Sequence, residues 1–204
     1  MVDLKWEALN TSSLSVPLDR LEAFTVTTPP GVDIWRRIAS NDFNAPAIGT
    51  RLPLSSFHSV SATVSGPWKT KFDQGGLLLA FPSSPGGRLE DSQWIKAGIE
   101  YFEGEPKLGV VGTENRGSDW SLCPMFEAGG KARLEAVMED DSIWVYAFVK
   151  GKRQPLREMK WVFDGKGKDA EIWVGVYAAK PTPDEGDEGK GLEVSFENVK
   201  VERR

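Results

Sequence analysis

Apolar residues in this chain recur at spacing two, or in runs of about four to six closed by Gly, Pro, Asn or Asp. The i, i+3, i+4, i+7 spacing of an amphipathic helix is hard to find, and the chain therefore reads as all-β. The pattern predicts strands at Leu4–Leu9, Phe24–Thr27, Phe57–Val64, Gly76–Phe81, Trp94–Phe102, Lys107–Thr113, Ala132–Met138, Ser142–Val149, Pro155–Phe163, Glu171–Ala179 and Leu192–Val201. Many short strands with turns between them predict a sandwich or a barrel. Glu103-Gly104-Glu105-Pro106, Lys150-Gly151-Lys152-Arg153 and Asp164-Gly165-Lys166-Gly167-Lys168 carry glycines suited to the positive φ of tight hairpin turns, which makes the pairing antiparallel. Short helical turns are expected in the N-terminal third or near Leu89–Gln93, none long enough to build a layer.

A chain of 204 residues is long enough for one self-sufficient core, burying about 70% of its unfolded surface, and no repeat or low-complexity block longer than the acidic, Gly-rich Pro181–Gly191 divides it. We read residues 1–204 as one domain. Cys123 is the only cysteine and cannot close an intramolecular disulfide; the first residues, MVDLKWEALN, lack the basic start and apolar run of a secretory signal. A cytoplasmic location is expected. No apolar run approaches the roughly 18 residues of a membrane span, and a net charge of −5 with both signs interspersed lacks the basic stripe of a nucleic-acid partner. There is no dinucleotide or phosphate-binding glycine loop, no Gly-x-Ser-x-Gly elbow and no His-Glu-x-x-His, so no cofactor is expected.

The faces of three strands carry the functional signal, since neighbouring side chains point to opposite sides of a sheet. Trp94, Lys96, Gly98, Glu100 and Phe102 share one side against Ile95, Ala97, Ile99 and Tyr101. Trp144, Tyr146 and Phe148 oppose Ile143, Val145, Ala147 and Val149; Trp173, Gly175 and Tyr177 oppose Ile172, Val174, Val176 and Ala178. Aliphatic sets facing a core, with aromatic, glycine and charged residues behind them, predict a sheet whose far side is an aromatic, partly charged trough.

The segment Lys71-Phe72-Asp73-Gln74-Gly75-Gly76-Leu77-Leu78-Leu79, then Trp94-Ile95-Lys96-Ala97-Gly98-Ile99-Glu100-Tyr101, Gly104, Leu108–Thr113 and Asp119-Trp120-Ser121, resembles the concanavalin A-like family that includes the fungal regulator-of-enolase proteins and small bacterial relatives found beside plant-polysaccharide genes. The stretch from Val26 to Arg37, Trp173–Ala179 and Leu192–Phe196 extend the resemblance over nearly the whole chain. It implies a jelly-roll sandwich of two antiparallel sheets whose concave face holds a carbohydrate or small ligand, with a metabolic enzyme as a protein partner in a regulatory role. It implies no reaction. Retaining glucanases of the wider superfamily carry Glu-x-Asp-x-Glu on one strand, whereas Glu100, Glu103 and Glu105 here span a predicted turn. Hydrolysis needs two carboxyls about 5 to 9.5 Å apart, so a second would come from Asp73 or Asp119.

Lys96 and Glu100 lead the candidates for a catalytic or binding pair. Glu100, partly buried, would act as acid or base with Lys96 paired to it; the plainer reading is an ion pair on a wet surface. Trp35, Trp94, Trp120, Trp144, Trp173 and Tyr177 offer flat surfaces to sugar C–H faces, or are core. Asp73 and Gln74, before Gly75 and Gly76, suit ligand contact or a sheet bend, and Arg36 with Arg37 suits a carboxylate clamp or exposed charge. His58, the only histidine, shares a predicted face with Val60, Ala62 and Val64, as a core imidazole or a catalytic one. One histidine and one cysteine supply no zinc set, and Glu139-Asp140-Asp141 is a charged turn rather than a calcium loop, so no metal is expected. The leading function is binding of a saccharide or small molecule; the alternative is an enzyme using Glu100 with Lys96, Asp73 or His58 on a saccharide or small metabolite.

Overall fold

The computed structural model describes residues 4–11 and 22–204. Part of the N-terminal third in which a short helical turn is expected lies outside the described residues. The described chain forms strands β1 (Trp6–Leu9), β2 (Ala23–Thr28), β3 (Ile34–Arg37), β4 (Ser40–Phe43), β5 (Ala47–Pro53), β6 (Phe57–Ser65), β7 (Gln74–Phe81), β8 (Gln93–Phe102), β9 (Glu105–Thr113), β10 (Ser118–Pro124), β11 (Lys131–Glu139), β12 (Ser142–Val149), β13 (Lys152–Met159), β14 (Glu171–Ala179) and β15 (Leu192–Arg203). Two 3₁₀ turns, Leu54–Ser56 and Trp161–Phe163, are the helical segments among the described residues, and no helix there is long and apolar enough to cross a membrane.

The strands make two large antiparallel sheets. Sheet A runs β1-β5-β14-β7-β8-β9-β10 and sheet B runs β13-β12-β11-β6-β15-β2, with β3 and β4 as a separate hairpin. Two of the three expected hairpins close as read: Glu103 and Gly104, both at positive φ, join Phe102 to Glu105, and Lys150 with Gly151 joins Val149 to Lys152 in the same way, whereas Asp164–Lys168 carries the chain from β13 in sheet B to β14 in sheet A and closes no hairpin. Glu139-Asp140-Asp141 turns β11 into β12.

Four strands escape the pattern, at 34–37, 40–43, 47–53 and 118–124. The first two, IWRR and SNDF, lack apolar alternation, and β10 is an edge strand with polar residues on both sides. The strand expected to reach Phe163 stops at Met159. Pro155 sits inside it because β13 is an edge strand, where a missing N–H is tolerated, and a bulge opposite Val145/Tyr146 absorbs the irregularity.

Between the sheets lies one apolar core, with Leu77, Leu79, Ile95, Ala97, Ile172 and Val174 from sheet A against Val60, Ala62, Val145 and Phe196 from sheet B. A second apolar cluster covers the outer face of sheet A. Leu78, Ala80, Trp94, Trp173 and Tyr177 pack there under Ile34 and Phe43 of the β3–β4 hairpin, with Leu89 beside them. Strand β7 is consequently buried on both faces. Trp173 Nε1 donates to Glu7 Oε1 at 2.8 Å, tying β14 to β1. Trp173→Phe removes a charge-assisted bond and some volume from a site with no exposure, and should cost about 2 kcal/mol, read as a lower urea midpoint at unchanged m.

Candidate ligand cleft

The glycines of the outer face explain where the second cluster leaves room. Gly76, Gly98 and Gly109 stand directly opposite one another across β7, β8 and β9, a floor without side chains. Lys96 and Glu100 flank it on β8. The Lys96 ammonium donates to Gln74 Oε1 at 2.7 Å, and Gln74 is registered opposite Glu100, so the lysine stem lies along the strand over Gly98.

The hairpin supplies one wall. Asp33, Trp35 and Arg37 alternate toward the floor while Ile34 and Arg36 between them are buried. Arg36 is a staple: its backbone N–H donates to Ser118 Oγ (2.9 Å), and its guanidinium donates to Asn41 Oδ1 (3.0 Å), the Glu114 carbonyl (3.1 Å) and the Glu90 carbonyl (2.5 Å). Phe72 and Trp120 complete the wall. Phe72 precedes β7 at φ +70°, a region a bulky residue rarely occupies, and is held by stacking on Phe102 at 5.9 Å. Trp120 meets Phe102 (5.2 Å), Phe72 (6.1 Å) and Trp35 (6.4 Å) edge to face. The space so enclosed is about 230 Å³.

The polar groups of the floor form a connected set. Gln74 Oε1 also accepts from the Tyr177 hydroxyl at 3.2 Å, and Gln74 Nε2 donates to the Phe72 carbonyl at 3.2 Å and reaches Asp33 Oδ1 at 3.5 Å. Lys96 pairs with Asp33 Oδ1 at 3.3 Å and lies 5.7 Å from the ring centres of both Trp35 and Tyr177. Glu100 is the exception. Among the described residues it forms no ion pair, and Lys96, its expected partner, is directed to Asp33 and Gln74 instead. The Trp120 indole N–H is buried beside the Glu100 carboxyl without a well-formed hydrogen bond. Burial pushes the Glu100 pKa up to about 7; the Lys96 charge opposes this, Asp33 reinforces it, and Trp120 draws it down. Burial, followed by the charges of Glu100 and Asp33, lifts the Tyr177 hydroxyl well above its ordinary value.

A larger hollow of about 470 Å³ opens against β6, β11 and β12 of sheet B, around Phe126, Arg133 and Phe148. Its charged residues, Glu127, Lys131, Arg133 and Lys150, are all exposed, so water already satisfies them. The smaller cleft has desolvated charges facing a cavity, the arrangement that binding and chemistry require.

The family described as "Protein of unknown function (DUF1349)" matches residues 15–204. The chain is a DUF1349 protein. It is 40% identical over 181 residues, 88% of this chain and 86% of the relative, to "Uncharacterized protein AN7484" of Emericella nidulans. It is 28% identical over 109 residues, 53% of this chain and 49% of the relative, to "Regulation of enolase protein 1" of Saccharomyces cerevisiae. A crystal structure of a functionally unknown protein from Saccharomyces cerevisiae superposes with a TM-score of 0.76 at 23% identity, covering 98% of this chain and 96% of that one. A GH43 protein, BlXynB of Bacillus licheniformis, superposes with a TM-score of 0.60 at 19% identity over 87% of this chain and 32% of its own. The DUF1349 fold is thus the concanavalin A-like jelly roll also found in glycoside hydrolases.

Of the residues singled out by sequence, this DUF1349 chain brings Trp35, Gln74, Lys96, Glu100 and Trp120 together at the cleft. Tyr177 stands behind Gln74. The others lie elsewhere. Trp94 and Trp173 have no exposure and fill the outer cluster, so most of the expected trough is packed solid. Trp144 is in sheet B; because Ile143 and Val145 face the shared core, Trp144 points outward on the opposite side of the sandwich, stacked on Tyr146 at 5.9 Å. His58 is also in sheet B, half-buried near Glu202. A bulge there places Phe57 opposite Arg203 and Ser59 opposite Glu202, so Phe57 takes the core position and the expected face of His58 is lost.

Asp73 is fully buried but turned from the cleft, bonding Lys180 Nζ (2.9 Å) and the N–H groups of Thr70 (2.9 Å) and Lys69 (3.2 Å). Asp119 is exposed and pairs with Arg157. Arg36 gives way to Arg37 at the cleft. Asp33 and Phe72 belong to the site and were not singled out as lining it; the signal for Asp33 was the alternation of Asp33, Trp35 and Arg37, hidden in a strand too short and polar to recognise.

Proposed function

We propose that this cleft binds a small hydroxyl-bearing ligand of about the size of a monosaccharide. The observation that carries the reading is the facing of an aromatic wall, Trp35, Phe72 and Trp120, onto a buried polar floor of Gln74, Lys96, Glu100 and Asp33. A sugar ring has apolar C–H faces for the wall and hydroxyl edges that both donate and accept for the floor. About 230 Å³ admits one such ring rather than a chain of them. The shared fold with glycoside hydrolases supports the reading at the level of architecture alone.

A thermal-shift panel of monosaccharides and polyols tests it. A ligand at about 100 times its Kd should stabilise by about 2.7 kcal/mol, and Trp120→Ala should weaken its binding by tenfold or more. No shift from any member at millimolar concentration would sink the proposal.

A second reading rests on a separate observation: Glu100, with its pKa near 7, faces the same cavity as a second carboxyl, Asp33. On this reading Glu100 would serve as the acid or base, with Asp33 as its partner in place of Asp73 and His58. Were the protein an enzyme on the bound sugar, Glu100→Gln would abolish turnover; turnover surviving in that variant would exclude the role.

A further inference from the structure

Starting from the reading that the cleft is the ligand site, we infer that its preferred ligand carries a positively charged nitrogen, as an amino sugar does, and that this ammonium pairs with Glu100 against the aromatic wall. The charges of the cleft lead there. Lys96 is neutralised by Asp33 and bonded to Gln74, so that pair presents no net charge to a ligand. Glu100 is 8% exposed, lines the cavity and has no cation of its own among the described residues. An isolated buried carboxylate is costly, and it is relieved either by a proton or by an incoming cation. Burial of Glu100 has already moved its proton affinity in that direction.

The surroundings suit the cation more than another donor. Trp35, Phe72 and Trp120 turn ring faces and edges toward the cavity, and aromatic faces attract ammonium groups by about 0.5–2 kcal/mol. Of the remaining cations, Arg37 and Lys71 are exposed, where water screens them, and Lys107, opposite Glu100 on β9, is paired with Glu105. An anionic sugar would instead bring a carboxylate beside Glu100 and Asp33. The same rings already sit near two ammonium groups, Lys96 at 5.7 Å from Trp35 and Lys71 at 4.8 Å from Phe72.

Glucose, glucosamine and glucuronate, together with cyclohexylammonium and cyclohexanol, are titrated at pH 7 into the full chain by calorimetry. Glucosamine should bind about tenfold or more tightly than glucose, glucuronate most weakly, and Glu100→Gln should bring the amine-to-neutral ratio within about twofold. Equal affinity for glucose and glucosamine, or tightest binding of glucuronate, overturns the inference while leaving a sugar site. Glu100-dependent binding of cyclohexylammonium over cyclohexanol with no sugar bound supports the ammonium pairing and overturns the carbohydrate reading. Binding of none of the five overturns both.

Discussion

Glu100→Gln gains about 3 kcal/mol of stability on the unsubstituted protein between pH 4.5 and pH 8. In the unfolded chain the carboxyl releases its proton near 4.5, and in the folded protein near 7. Between those values the folded state binds more protons, so stability falls as pH rises; above about 7 the full cost of an ionised, buried carboxylate is present. At about 1.36 kcal/mol for each tenfold change in proton affinity, the interval amounts to about 3 kcal/mol. Glutamine has the same shape and no charge to desolvate. For a chain of this length the gain is about 6–12 °C in Tm at pH 8, vanishing near pH 4.5. Parallel Tm-against-pH curves for the two proteins would refute the buried, unpaired state of Glu100.

Lys180→Met acts in the opposite sense and costs about 3–5 kcal/mol, a fall of about 10 °C in Tm. The Lys180 side chain is 1% exposed, between Asp73 Oδ1 at 2.9 Å and Asp184 Oδ1 at 2.6 Å. Burial opposes its charge, but the two carboxylates more than offset this and raise its pKa. Asp184 is in turn held well below the usual carboxylate range by Lys180 first, then by Lys69 and Thr70. Without the ammonium, Asp73 keeps only backbone donors in a site with no exposure. The exposed pair of Lys160 and Asp141 provides the comparison, and Lys160→Met should leave the urea midpoint almost unmoved. If the two substitutions cost the same in a urea titration, the buried network contributes nothing. The network also fixes the Lys69–Asp73 turn that carries Phe72, so Lys180→Met should weaken ligand binding as well.

The alternation of β8, β12 and β14 told correctly which side chains face the core and which face away. It did not tell that β8 and β14 share a sheet while β12 belongs to the other, because parity is local and sheet membership is decided by pairings between strands far apart in the chain, such as β14 with β7 and β11 with β6. Trp144 was therefore grouped with Trp94 and Trp173, and lies on the far side of the protein. For His58 parity itself failed, since one extra residue at a bulge reverses every face before it. Asp73 and Asp33 exchanged roles for another reason. Each is a carboxylate near a strand start; only the bridge between Val32 and Lys180 and the ion pairs around it show that one anchors a turn and the other faces the cleft. Gly98, between Lys96 and Glu100, did announce the floor of the site.

The position of β14 sets the order of events during synthesis. It lies between β5 and β7, pairing Gly175 with Gly49 on one side and Leu78 on the other. A chain growing from its N-terminus has made both neighbours by residue 81 but completes β14 only at residue 179. At about 5–20 residues per second, two apolar edges wait on the order of 5–20 s for the strand that joins them. The hairpin over the β7–β8–β9 floor has its Arg36 contacts to Glu90, Glu114 and Ser118 by residue 118, but its bridge from Val32 to Lys180 comes only after β14. The nascent chain, with the edges of β5 and β7 uncovered, is accordingly a state more exposed to aggregation than the finished one.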